Sequence, residues 1–119
     1  MGITLYQYPA CSTCRKAVKW LDGSGFPFDS IHLKESPPDA ATLLDLWQRS
    51  GLPLRKFFNT SGQSYRGGNW KERLKDASDE EALQALAADG MLIKRPILDT
   101  GAAVLVGFRE AAYDEALGR

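Results

Sequence analysis

Residues 3–8 alternate. Ile3-Thr4-Leu5-Tyr6-Gln7-Tyr8 is rich in β-branched and aromatic side chains, which predicts a strand that Pro9 ends. From Thr13 the period lengthens, with Ala17, Val18, Trp20 and Leu21 apolar and Arg15, Lys16 and Lys19 polar, so a helix is expected up to a stop at Gly23. The run from Phe26 to Leu33 reads as a second strand. Together these segments make a βαβ unit.

A helical block follows. Residues 34–39, which include Pro37 and Pro38, read as a loop whose Asp39 caps a helix over Ala40 to Ser50. Leu43, Leu44, Leu46 and Trp47 are its expected buried face, and Gly51 its stop. Leu54 to Asn59 reads as a short helix, Thr60 to Gly68 as a loop, and Trp70 to Leu74 as another short helix. Ser78-Asp79-Glu80-Glu81 spells a capping box that opens a helix burying Leu83 and Leu86 and closing at Gly90. Met91 to Asp99 and then Ala103 to Val106 predict an antiparallel hairpin turning near Thr100-Gly101, before a last helix over Arg109 to Leu117.

The order is βαβ, helices, ββα. The expected fold class is therefore α/β and thioredoxin-like: a mixed four-stranded sheet within one domain, its core at residues 1–33 and 91–119 and a helical insertion at 34–90. In that topology the proline opening the third strand, here Pro96, is usually cis and faces the loop after the first strand. Arg95 then comes within reach of that loop, suited to holding an anion.

Length and charge narrow the chemistry. A chain of 119 residues suits a single domain. Fifteen Lys and Arg balance fifteen Asp and Glu, which argues against an extended nucleic-acid surface. No apolar run approaches the roughly 20 residues of a bilayer span, and the first residues lack the basic and apolar regions of a signal peptide, so a cytoplasmic protein without membrane contact is expected.

Cys11 and Cys14 are the only cysteines. Zinc needs about four ligands, and His32, the only histidine, adds at most one to the pair; a cluster held by four thiolates fails likewise. No metal or bound cofactor is expected. What remains is redox chemistry or two inert thiols. The pair sits as Cys11-Ser12-Thr13-Cys14, where the first strand turns into the first helix. There the helix dipole and free N–H groups favour a thiolate, and Arg15 adds a cation. Cys11 is the expected nucleophile and Cys14 the resolving thiol. Ser12 and Thr13 are expected to cap the helix rather than to attack, and His32 to be solvated.

Four segments carry a resemblance: residues 8–17 around the cysteines, Phe58-Asn59-Thr60-Ser61-Gly62 with Tyr65-Arg66, Lys94-Arg95-Pro96-Ile97, and Val106-Gly107-Phe108. In order and spacing they resemble the arsenate reductase (ArsC) and Spx-type family, which has an expanded glutaredoxin fold. The resemblance implies a thiol oxidoreductase acting on a disulfide, a glutathione adduct or arsenate, with glutathione, glutaredoxin or thioredoxin as external reductant. In the arsenate reductases three arginines hold the oxyanion. Arg95 matches one, Asn59 stands at the second position, and the third falls near residues 106–108, with Arg66 and Arg109 as spatial alternatives. Pro96 matches the cis proline. The Spx-type members imply an alternative, a redox-switched regulator that binds the C-terminal domain of the RNA polymerase α subunit. Gly51 lies close to the glycine of that contact, and Arg95 matches the arginine that senses the oxidised pair.

Overall fold

The computed structural model describes residues 2–118. Strand β1, Thr4–Gln7, pairs in parallel with β2, Asp29–His32, and antiparallel with β3, Ile97–Asp99. β3 in turn pairs antiparallel with β4, Val104–Val106, giving the order β2-β1-β3-β4. The central strands are the apolar ones: Leu5, Ile97 and Leu98 are fully buried. The second strand is shorter than its apolar run, because Phe26–Phe28 approach the sheet as irregular chain. The hairpin turn lies at Thr100-Gly101, where the Thr100 and Ala103 backbones pair at 3.0 Å and Gly101 takes a positive φ of 88°.

Helix α1, Ser12–Ser24, continues past Gly23 and ends on Gly25, whose φ of 82° supplies the left-handed turn. One face of it buries Cys14, Ala17 and Leu21 against Leu5, Leu98 and Tyr113. Tyr113 belongs to the closing helix α6, Glu110–Leu117. The opposite sheet face is covered by residues between β2 and β3. Helix α2, Ala40–Ser50, is capped by Asp39, which accepts from the Thr42 N–H, and ends at Gly51 in the left-handed region. Its Leu43 and Leu46 are buried, Trp47 is half-buried, and Leu44, expected inside, is 37% exposed. At three and four residues the stripe accommodates only part of the apolar set, and Leu44 falls outside it.

A 3₁₀ turn at Leu54–Phe57 leads to α3, Gln63–Gly67, inside the segment expected to be a loop; this helix buries no side chain, so no apolar period marks it. The short α4, Trp70–Arg73, and α5, Asp79–Ala88, follow, the latter with both reciprocal bonds of the Ser78–Glu81 capping box. Gly90 does not close α5. It opens a 3₁₀ turn, Gly90–Leu92, pressed so closely on the Leu33 carbonyl that a Cβ there would collide with it. Residues 91–93 are therefore not strand; instead Phe58 and Ile93 form an isolated antiparallel bridge.

Candidate redox site

The turn after β1 is closed by the Cys11 N–H donating to the Tyr8 carbonyl at 2.9 Å. Cys11 then occupies the N-cap position of α1, half-buried, with extended backbone (φ −81°, ψ 125°). Ser12 and Thr13 do not cap the helix: they lie inside its first turn, where a side chain cannot fold back on the N–H groups ahead of it. The free N–H groups of Thr13 and Cys14 are left facing the Cys11 sulfur. Burial pushes the Cys11 thiol up, but the donors around it (the Cys14 N–H, the Cys14 thiol, the Thr13 N–H and the Arg95 guanidinium) outweigh this and hold its pKa below the ordinary value.

Cys14 has the opposite character. It is fully buried, and burial pushes its pKa up to about 12, with the neighbouring Cys11 adding to the rise. The Tyr8 N–H, donating to Cys14 Sγ at 3.4 Å, and the Arg95 charge act in the other direction. One thiol is thus primed to ionise and its neighbour to keep its proton, three residues apart on one helix start.

Arg95 is held from several sides. The Arg95–Pro96 peptide bond is cis. Its guanidinium carbon lies 5.2 Å from the Tyr8 ring centroid, and Nη1 donates to the Met91 carbonyl at 3.2 Å, while the buried Nε has no partner among the described residues. Arg15, expected beside the thiolate, instead directs Nη1 to the Pro9 carbonyl at 3.2 Å, since its position one residue past Cys14 places it on the exposed side of α1. His32 is not simply solvated: its Nδ1 accepts the Glu35 N–H at 3.2 Å and its ring meets Tyr8 edge-on at 5.6 Å.

Beside Arg95 lies a cleft of 320 Å³ whose wall includes Asn59 and Arg66. The Asn59 N–H donates to Leu92 O at 2.8 Å and the Lys94 N–H to Phe57 O at 2.7 Å, and this pairing draws the 57–66 segment against Arg95. Arg66 therefore shares the cleft with Arg95. Arg109, the other arginine considered, is exposed at the start of α6 and is not part of that wall. Nothing local in the sequence signals this cleft, because its arginines are brought together only by the pairing of two distant segments.

The family model for the ArsC family matches residues 6–116. The chain belongs to the ArsC family. This ArsC-family chain is 51% identical over 115 residues to the uncharacterised protein YusI of Bacillus subtilis (strain 168), covering 97% of this chain and 98% of that one. It superimposes with a TM-score of 0.88 and 46% identity on a structure from Streptococcus mutans UA159 titled a "possible arsenate reductase", covering 96% and 97% of the two chains. A Bacteroides fragilis structure described as related to the ArsC family gives a TM-score of 0.92 at 38% identity, covering 97% of each chain. More distant relatives divide by role. The arsenate reductase of Acidiphilium multivorum is 29% identical, with 83% of this ArsC-family chain and 69% of that one covered. The regulatory protein MgsR of Bacillus subtilis (strain 168) is 26% identical, with 89% and 82% covered. The family thus contains both enzymes and regulators on a thioredoxin-like fold.

Proposed function

We propose that this protein is a dithiol oxidoreductase in which Cys11 attacks and Cys14 resolves. The observation that carries the reading is the placement of the two thiols at the start of α1, Cys11 half-buried at the N-cap and Cys14 fully buried three residues on, which favours ionisation of the first over the second. The Cys11 thiolate attacks one sulfur of a substrate disulfide, forming a mixed disulfide and releasing the other half as a thiolate, which takes a proton from water. That step consumes the negative charge of Cys11, one of the causes that keep Cys14 protonated. Cys14 then gives up its proton, assisted by the Tyr8 N–H and Arg95, and attacks the Cys11 sulfur. The Cys11–Cys14 disulfide forms, the second thiolate leaves, and two electrons have passed to the substrate. An external thiol (glutathione, glutaredoxin or thioredoxin) would restore the dithiol.

Mass spectrometry of the reduced protein mixed with a small disulfide tests this. Cys14→Ser is expected to accumulate a mixed disulfide on Cys11, Cys11→Ser none, and the parent protein an internal disulfide. A Cys14→Ser protein that forms no adduct would sink the reading.

A second reading, a redox-switched regulator binding the C-terminal domain of the RNA polymerase α subunit, is favoured by the likeness to MgsR and by the exposed Gly51-Leu52 turn that ends α2. Pull-down with that isolated domain under oxidising and reducing conditions decides it. Absence of binding in both states removes it.

A further inference from the structure

A larger cleft, of about 700 Å³, lies within the helical block, between the 3₁₀ turn at Leu54–Phe57, α3, α4 and the start of α5. Among the described residues, neither cysteine nor Arg95 lines it. Its charge is one-sided. Arg55, Lys56, Lys71, Lys75 and Lys94 line it against a single carboxylate, Asp79, in a chain whose fifteen cations and fifteen anions balance overall. Only Lys75 is engaged, with Glu72 at 3.1 Å, an exposed pair of little worth. The side chains of the other four cations make no hydrogen bond or ion pair to any described residue. Lys94 is half-buried, and its N–H, donating to the Phe57 carbonyl at 2.7 Å, fixes it beside the turn that carries Arg55 and Lys56. Like charges gathered at one cleft repel, and low-dielectric walls concentrate their field, so the arrangement favours a ligand with several negative charges.

The floor is apolar and partly aromatic. Leu54, Phe58 and Ala82 are buried there, and Tyr65 and Leu74 half-buried. Phe58 and Tyr65 meet edge-on with centroids 6.4 Å apart, and the half-buried Tyr65 keeps ring surface for a ligand. A flat aromatic body packs on such a wall, and the volume lies inside the roughly 300–1,000 Å³ of small-ligand sites. An extended nucleic-acid strand would need a longer run of cations than one cleft holds. We propose that this cleft binds a nucleoside polyphosphate, with the phosphates on the rim cations and the base against the Phe58–Tyr65 wall. The site is separate from the thiols, so the proposal does not depend on the oxidoreductase reading.

Calorimetric titration of the full chain at low salt tests it, with ATP free of magnesium, adenosine and inorganic triphosphate as probes. ATP is expected to saturate one site and to bind at least about tenfold more tightly than either fragment, since each fragment keeps only the ring or only the charge. Added salt should weaken ATP and leave adenosine unchanged. Lys71→Gln and Arg55→Gln, both at exposed positions, should each weaken ATP about two- to fivefold, the size of one solvent-exposed ion pair. Tyr65→Leu should weaken ATP and adenosine together. Lys19→Gln, an equal change of net charge on the outer face of α1, should leave ATP binding where it was. Absence of saturable binding at roughly millimolar ATP overturns the proposal. So does triphosphate binding as tightly as ATP, which marks unspecific charge pairing, or a loss with Arg66→Gln as large as with Lys71→Gln, which places the nucleotide in the cleft beside Arg95.

Discussion

The guanidinium carbon of Arg95 stands 5.2 Å from the centre of the Tyr8 ring, close enough for a cation–π contact. Tyr8 is the residue whose N–H also donates to Cys14 Sγ, so one position touches the cation and the buried Cys14 thiol by different atoms. Its ring steadies the charge that helps hold the Cys11 thiol below its ordinary range.

Replacing that ring is therefore expected to be felt at the sulfur. Tyr8→Leu loses about 0.5–1 kcal/mol of cation–π attraction and frees Arg95, so the midpoint of Cys11 alkylation against pH moves upward. Tyr8→Phe keeps the aromatic face and leaves the midpoint in place. A Leu variant titrating with the parent would disprove the link.

The cysteines should also give the reduced protein a characteristic alkaline profile. Cys11 has a depressed pKa when folded, so the unfolded chain holds more protons as pH approaches about 9, and stability rises with pH there. Cys14, raised to about 12, works oppositely: between about 9 and 12 the unfolded chain ionises it and the folded one does not, so stability falls. Urea midpoints measured under reducing conditions check both signs. Cys11→Ser should remove the gain and Cys14→Ala should flatten the loss.

Arg49 clamps α2 to the sheet, donating from Nη1 and Nη2 to the two oxygens of Asp99 at 2.8 and 2.9 Å. These bonds, against the opposing effect of burial and with help from the Gly101 N–H, hold the Asp99 carboxyl below its usual range. A depressed carboxylate stabilises the fold above its unfolded value near 3.8 and loses that contribution as pH falls through the folded value. Asp99→Asn is expected to cost about 1.5–3 kcal/mol at neutral pH, with the deficit shrinking below pH 4. Equal deficits at pH 3 and pH 7 would contradict it.

Two glycines should respond in opposite directions. Gly90→Ala drives a methyl into the Leu33 carbonyl and is expected to cost about 1–3 kcal/mol or more, because backbone cannot easily retreat. At Gly23 nothing lies within 4 Å of an added Cβ, and the residue is helical with no positive φ, so Gly23→Ala should add about 0.5–1 kcal/mol. Denaturant unfolding of the pair reads both.

Arsenate should be a poor substrate. Asn59 offers a neutral amide at the position where the resemblance to the arsenate reductases implies an arginine, and losing one charge-assisted bond removes about 1.5–3 kcal/mol of anion binding. With glutathione and glutaredoxin supplied, turnover well below the ordinary range of roughly 1–10³ s⁻¹ is expected, and a rate inside it would refute the argument.

Local interactions made much of this protein legible without coordinates. Asp39, Ser78 and Glu81 act within four residues of themselves, and the alternation of β1 or the 3.6-residue spacing of α1 needs only the adjoining chain. The same holds for the cysteine pair at the strand-to-helix turn. Other features depended on contacts between distant segments. Helix α3 carries no buried face to announce it, Leu44 is excluded from a stripe already filled by Leu43 and Leu46, and Gly90 answers to the carbonyl of Leu33. Most consequentially, Arg66 and Arg95 share a cleft because backbone bonds join Phe57 to Lys94 and Asn59 to Leu92. The sequence by itself determined that the Cys11 sulfur sits at a helix start, since helix starts and their free N–H groups are local; only the tertiary structure decided which charges surround it, because electrostatic neighbours are set by distance in space and not along the chain.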